Sequence, residues 1–457
     1  MVAVKNPMPG LFEHLLIMTT TTTDPSSIIT AIQQPATEGP AWFKDLQAAA
    51  LQEFEGEPFP SRGDETWRFS SIKNLSIDNY LPAPAFYGDV STLTSSCAFQ
   101  MPAGRIVFAN DTLVSAELYD SSLAQQGVIF TTLAEGLEKH STLLQEHFMA
   151  QPAKLGSKKF AALHKAALRA GTVLGVPRGM EISAPFEVFH LVQGDGSAVF
   201  PHTLIIAEEN SKVTFLEHFV SADPTHRGFA CGVNDLVLKP GSKLTYVSLQ
   251  EWSQNFMSIQ VNSTVVNKDA NALNLALNFG GKYSRLESVS RMMASGARSD
   301  MLAINIGKRD QEFDQRTLQD HLRPNTTSDL LYKNALFDKA RTIFSGLIRV
   351  EPGAHRTDAY QKVRNLLLSA DAEANSMPGL EILADDVRCT HGATTGEIES
   401  EELFYLLSRG INEASAKALI VRGFLNEVVD RLESPLLEYL HNQIECQLRA
   451  NNLACRM

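Results

Sequence analysis

Cys389 and His391 stand two residues apart in Asp385-Asp386-Val387-Arg388-Cys389-Thr390-His391, the densest group of metal-ligating residue types in the chain. If this segment is a strand, Asp385, Val387, Cys389 and His391 fall on one face, because side chains alternate across a strand. A soft thiolate beside an imidazole suits an iron–sulfur cluster, copper or zinc. Two donors do not close a site that normally takes four. A metal held here must be shared with another chain, bound transiently, or completed by residues distant in sequence. The competing reading is a strand cysteine packed in a core and a histidine satisfied by backbone hydrogen bonds. The acidic pair Asp385 and Asp386 reads more simply as a solvated strand edge.

The other cysteines, Cys97, Cys231, Cys446 and Cys455, form no C-x-x-C pair with each other or with Cys389. An odd count in a large chain argues against a disulfide framework and for a reducing, cytoplasmic setting. The sequence has no G-x-x-x-x-G-K-[ST], so no ATP site of the P-loop kind is expected. It also lacks H-E-x-x-H, G-x-S-x-G and a dinucleotide fingerprint. At 457 residues, 44% hydrophobic and 20% charged, the chain has material for several domains around a substantial core. Its net charge of −12 is the wrong sign for a general nucleic-acid binder. No stretch approaches the roughly 18 apolar residues of a membrane span. The N-terminus reads as a leader broken by Pro9 and Gly10, with Met18 an alternative start to Met1.

The elements that must position Cys389 and His391 follow from periodicity. Asp24-Pro25 opens a helical stretch, and Trp42 to Phe54 carries a second one. Residues 66–116 are mixed, with a strand at Arg105 to Phe108, and Leu123 to Ala170 reads as helical. After Gly175-Val176-Pro177 the pattern turns to short alternating segments at 244–249, 257–261, 272–277 and 302–306. They recur every ~28 residues, the mark of a parallel β-helix with two strands per coil. No residue type is seen to repeat with them. A β-sandwich is the alternative, but tight Asn-Gly and Asp-Gly turns are missing from 240–395. Helix returns after Gly396, with Gly410 suited to a C-terminal cap and Asn412 to the next N-cap. Leu419, Ile420, Phe424, Val428 and Leu432 form an apolar stripe that Leu436, Leu440, Ile444 and Leu448 continue. Such a stripe packs on the protein's own core or meets a partner.

The expected organisation is a leader with helices over 1–60 and a mixed, partly helical domain over 61–175. A parallel β-helix core over 176–395 and a helical C-terminal domain over 396–457 complete it. The fold class is mainly β with helical terminal domains.

Several segments together resemble the SufB/SufD family of iron–sulfur assembly scaffolds. They are Thr66-Trp67-Arg68-Phe69, Leu163 to Ala166 leading to Gly171 and Val176-Pro177, Phe344 to Val350, Thr357 to Gln361 and Asn365 to Ser369. Pro378 to Ile382, Asp385 to Thr394, Leu403 to Leu406 and Ser408 to Ile411 follow in the same order. The likeness runs from about residue 60 to 435. Cys389 to Gly396 reads C-x-H-G-A-T-x-G, as in the SufD branch. SufB-like chains place an acid after the histidine and carry a cysteine-containing segment upstream that is not found here.

The resemblance implies a right-handed parallel β-helix and a non-catalytic subunit that pairs with SufB. It also implies contact with the SufC ATPase through the C-terminal helices. His391 is carried over as the interface ligand facing a SufB cysteine, and Cys389 as its less secure companion. A transient iron–sulfur cluster, or iron, would be shared with SufB. Reduced flavin enters only at the level of the complex, with no residue assigned to it. Whether the isolated chain forms a homodimer is left open. Two other readings are a polysaccharide-active β-helix enzyme, which needs carboxylates on stacked coils, and a standalone metal-binding chaperone.

Overall fold

The computed structural model describes residues 27–33, 39–72, 75–86, 88–95, 97–433 and 436–450. The leader, the alternative start at Met18, the helix opening at Asp24-Pro25 and Cys455 lie outside these residues. Two parallel ladders of strands face each other, and the chain alternates between them to wind a solenoid of about eight turns. The first sheet ends with Tyr283–Met292, Glu312–His321, Arg341–Val350 and Glu373–Ile382, paired in that order. The second ends with Arg298–Gly307, Thr327–Leu336, Asp358–Leu367 and Arg388–Glu397. Among the described residues, antiparallel pairs occur only at the N-terminal end, where Gly104–Ala109 meets Thr112–Leu118 and Ile129–Thr132 meets Thr172–Val176. The β-helix is therefore the architecture, and the sandwich is not.

Local chemistry produces the winding. In Asp358–Leu367, Ala359, Gln361, Val363 and Asn365 are buried in the lumen, while Tyr360 and Lys362 point outward and are exposed. Corners take single residues in the left-handed region, among them Asn210, Asp269, Asn325, Asp338 and Asp386 at φ between 53° and 57°. Asn and Asp tolerate that region better than other side chains bearing a Cβ. These turns replace the two-residue hairpins missing from the sequence.

The structure corrects one reading: a residue type does repeat along the solenoid. Asn278 donates to Asn305 at 2.8 Å, Asn305 to Asn334 at 2.7 Å, and Asn334 to Asn365 at 2.6 Å. Asn365 in turn donates to Thr395 Oγ1 at 3.0 Å on the last coil. The steps are 27, 29, 31 and 30 residues, so a scan at one fixed period misses them. An amide in the lumen is tolerated because the rung on either side supplies its partner.

Both flanking regions pack onto the outer faces of this solenoid. Trp67, in the 3-10 turn Glu65–Trp67, is buried beneath Arg285 of the first sheet, whose guanidinium carbon lies 3.7 Å from the ring centre. Arg285 also binds Glu287 at 2.7 Å, Asp314 at 2.5 Å, and the carbonyls of Thr66 and Leu155. Arg316 Nη2 donates to the Arg68 carbonyl, and Ser70 and Ser71 donate to Asp314 and Glu312. The segment Thr66 to Phe69 thus begins the clasp of the N-terminal region.

The helices Glu413–Val429 and Leu436–Ala450 cover the second sheet. Val428, Leu432, Leu436, Leu440, Ile444 and Leu448 are buried against Leu249, Leu277, Ile304 and Leu331. Each such side chain contributes about 1.5–3 kcal/mol of burial. Most of the apolar stripe is therefore spent on the protein's own core. Gly410, at φ 85°, donates to the Leu407 carbonyl, and Asn412 caps Ser415 N at 2.9 Å, both as their residue types predict.

Candidate ligand site at the open end of the solenoid

The strand Arg388–Glu397 is the last of its sheet and pairs on one side only, with Asp358–Leu367. It starts one residue after Val387, so Asp385 does not share its face as the sequence pattern suggests. Asp386 occupies the left-handed corner, and its carbonyl accepts from Arg356 N at 2.7 Å. Asp385 offers its carbonyl to the His355 ring at 2.9 Å. The acidic pair belongs to a turn and lies at the surface, as its simpler reading held.

Register places the two soft donors. Cys389 pairs with Ala359, His391 with Gln361, Ala393 with Val363 and Thr395 with Asn365. Parallel partners in register point to the same face. Because Ala359, Gln361, Val363 and Asn365 face the lumen, Cys389 and His391 do too. No further rung lies over them among the described residues, so the lumen face of this strand is exposed along most of its length. Gly392 and Gly396 fall on the opposite, outer face, where a Cβ built on either meets nothing within 4 Å.

The two donors sit in unlike surroundings. Cys389 is half-buried against Ile348, Val350, Ala354 and Ala359. Burial, followed by the nearby Asp358 carboxylate, pushes its thiol above the ordinary value. The chain alone thus favours the protonated thiol, which is the poorer ligand. His391 is exposed. Cys97 and Cys231 are buried, and Cys231 Sγ is 3.2 Å from the Phe160 carbonyl. Cys446 is exposed on Leu436–Ala450, away from this strand in sequence. No group of three or more His, Cys, Asp or Glu able to hold a metal occurs among the described residues. Cys389 and His391 thus stand on one face of the last strand with no third such donor grouped with them among the described residues.

Beyond the last strand the chain enters the helix Ser400–Ser408, which buries none of its residues and exposes Phe404, Tyr405 and Leu407. This helix follows in sequence the strand that bears Cys389 and His391. No helix among the described residues is long and apolar enough to cross a membrane. Sequence reasoning missed Gln361, the lumen residue directly behind His391. Its only signal was the two-residue alternation of Thr357 to Gln361, extended by one rung.

The fold is that of a parallel β-helix protein whose terminal coil, uncovered among the described residues, bears Cys389 and His391 on its lumen face. Residues 190–424 match the family described as "SUF system FeS cluster assembly, SufBD core domain", and residues 32–188 match "SufBD protein N-terminal region". The chain belongs to the SufBD family of iron–sulfur cluster assembly proteins. It is 28% identical to the iron–sulfur cluster assembly protein SufD of Bacillus subtilis, over 86% of this chain and 91% of that one. Against SufD of Escherichia coli the identity is 27%, over 84% and 87%. Against SufB of B. subtilis it is 25%, over 86% and 87%.

Proposed function

We propose that this chain is the SufD-like scaffold subunit of a complex with SufB and the SufC ATPase, and that its open coil is one wall of the cluster-building site. The cluster is cargo rather than a resident cofactor. His391 supplies an imidazole ligand from this side, Cys389 stands beside it as a second donor, and SufB supplies the rest. The observation that carries the reading is the placement of both donors on the lumen face of a coil that no other rung covers among the described residues. A ten-residue edge strand with free N–H and C=O groups is a template for another chain's strand. Exposed Phe404, Tyr405 and Leu407 support a second contact, which we assign to SufC.

Under this reading the chain performs no catalysis itself and binds no ATP, and reduced flavin belongs to the complex as a whole. ATP-driven closure of SufC would act on the C-terminal helices and shift the edge strands. That movement would relieve the burial that keeps Cys389 protonated. The polysaccharide-enzyme reading fares worse on one observation. The acids Glu287, Asp314 and Asp320 do not stack on one another but lie in register with Arg316, Arg285 and Arg291, and all three are buried beneath the N-terminal clasp.

The test is co-expression with SufB and SufC followed by anaerobic purification. A stable assembly that holds cluster, together with an isolated chain that holds none, is the expected result. Tight stoichiometric metal binding by the isolated chain would instead make it a standalone chaperone.

A further inference from the structure

Gln361 is 2% exposed, yet neither its Nε2 nor its Oε1 has a hydrogen-bond partner. Leaving one buried polar atom unsatisfied costs about 1–3 kcal/mol, so an amide with both atoms free requires an explanation. Two neighbouring features supply one. Across the lumen Gly346 carries no side chain, and a Cβ there would lie 2.1 Å from Gln361 Nε2 and 2.6 Å from Thr317 Oγ1. Thr317 Oγ1 is itself buried without a partner. The space kept by Gly346 is where the amide N–H can donate to the threonine hydroxyl after a small shift, leaving Oε1 free. Directly over Gln361 on the next rung, and on the same face, stands His391. Two lumen positions along these strands, Asn365 bonds Thr395 from rung to rung, so this coil already supports such a contact.

We propose that Gln361 is a positioning residue for His391: its side-chain carbonyl accepts an imidazole N–H and turns the other ring nitrogen outward. A ligating histidine normally has its second nitrogen held in this way, which fixes the tautomer and orients the ring. The proposal deepens the scaffold reading and rests on it for the role of His391. The Gln361–His391 contact can nevertheless be tested independently of that role.

The test uses the full chain labelled with 15N-histidine, with His391 assigned by loss of its signals in His391→Ala. In the unsubstituted chain His391 holds a single tautomer. Gln361→Leu releases it to the mixture of a free imidazole without lowering the melting temperature, because an apolar group replaces an unpaired amide. Gln361→Glu keeps the acceptor and restores a single tautomer. In the complex with SufB and SufC, Gln361→Leu lowers cluster content by about tenfold, and Gln361→Glu recovers part of it. Identical His391 signals in the unsubstituted and Leu variants overturn the proposal. So does a melting temperature several degrees lower with those signals unmoved, which would mark Gln361 as a structural amide held by lumen water. If Gln361→Leu moves the ring signals but His391→Ala leaves cluster content unchanged, the contact stands and the ligand reading falls.

Discussion

The guanidinium of Arg285 lies over the ring of Trp67, 3.7 Å from its centre, at the junction of the N-terminal region and the solenoid. Both groups are almost completely buried, and Arg285 is also the shared partner of Glu287 and Asp314. Removing Arg285 takes the cation from buried Glu287 and leaves buried Asp314 with Arg316 alone, and removing Trp67 opens a cavity. Trp67→Ala should cost about 3–5 kcal/mol. Arg285→Ala should cost at least as much, because the abandoned charges add to the lost packing. Limited proteolysis checks the location: cleavage should appear first in residues 57–72 and 149–158, before the solenoid is cut.

The asparagine ladder predicts a disproportionate effect at one position. Asn334 accepts from Asn305 at 2.7 Å and from Gln315 at 2.9 Å, and it donates to Asn365 at 2.6 Å. Asn334→Ala orphans three buried groups and should destabilise by about 3 kcal/mol or more. An exposed change such as Tyr360→Ser, on the outer face of the neighbouring strand, should cost far less. Urea midpoints of the two variants make the comparison.

Buried histidines, among them His321, His164 and its neighbour His202, set the acid limit of stability. Burial holds His321 down to about 3 and His164 to about 4, the latter in spite of its 2.7 Å contact with the Cys231 carbonyl. Both lie below the ordinary value of 6.5, so from 6.5 downward the unfolded chain binds more protons than the folded one. Their stabilising contribution is complete above that pH and is lost as pH falls toward 4 and then 3. Each histidine contributes a slope of about 1.4 kcal/mol per pH unit inside its window. Stability measured from pH 7 to 4 should therefore decline, and His321→Gln should make the decline shallower while weakening the contacts to Thr326 and Ser328.

Much of this architecture was legible in the sequence because it rests on local chemistry. The segments 244–249, 257–261, 272–277 and 302–306 all lie within strands of the solenoid, since alternation and corner residues act over a few positions. Gly410 and Asn412 act as caps for the same reason. The ladder from Asn278 to Asn365 was hidden because coil length drifts from 27 to 31 residues. The leucine stripe was visible, but the surface it covers depends on how helices fold back, which no single segment encodes. At the site, the shared face of Cys389 and His391 was legible from the strand period. The missing coil above them was not, because it depends on the chain turning into Ser400–Ser408 instead of winding once more. Gln361 became visible only when register set it behind His391.

The most direct measurement of the central claim is cluster content in the complex carrying His391→Ala. His391 is exposed and packs on no core, so the variant should fold, melt and co-purify with SufB and SufC as the unsubstituted chain does. After anaerobic reconstitution, iron and sulfide per complex should fall by about tenfold, consistent with removal of a ligand from a shared site. Cluster content equal to that of the unsubstituted complex would contradict the account and remove His391 from the site.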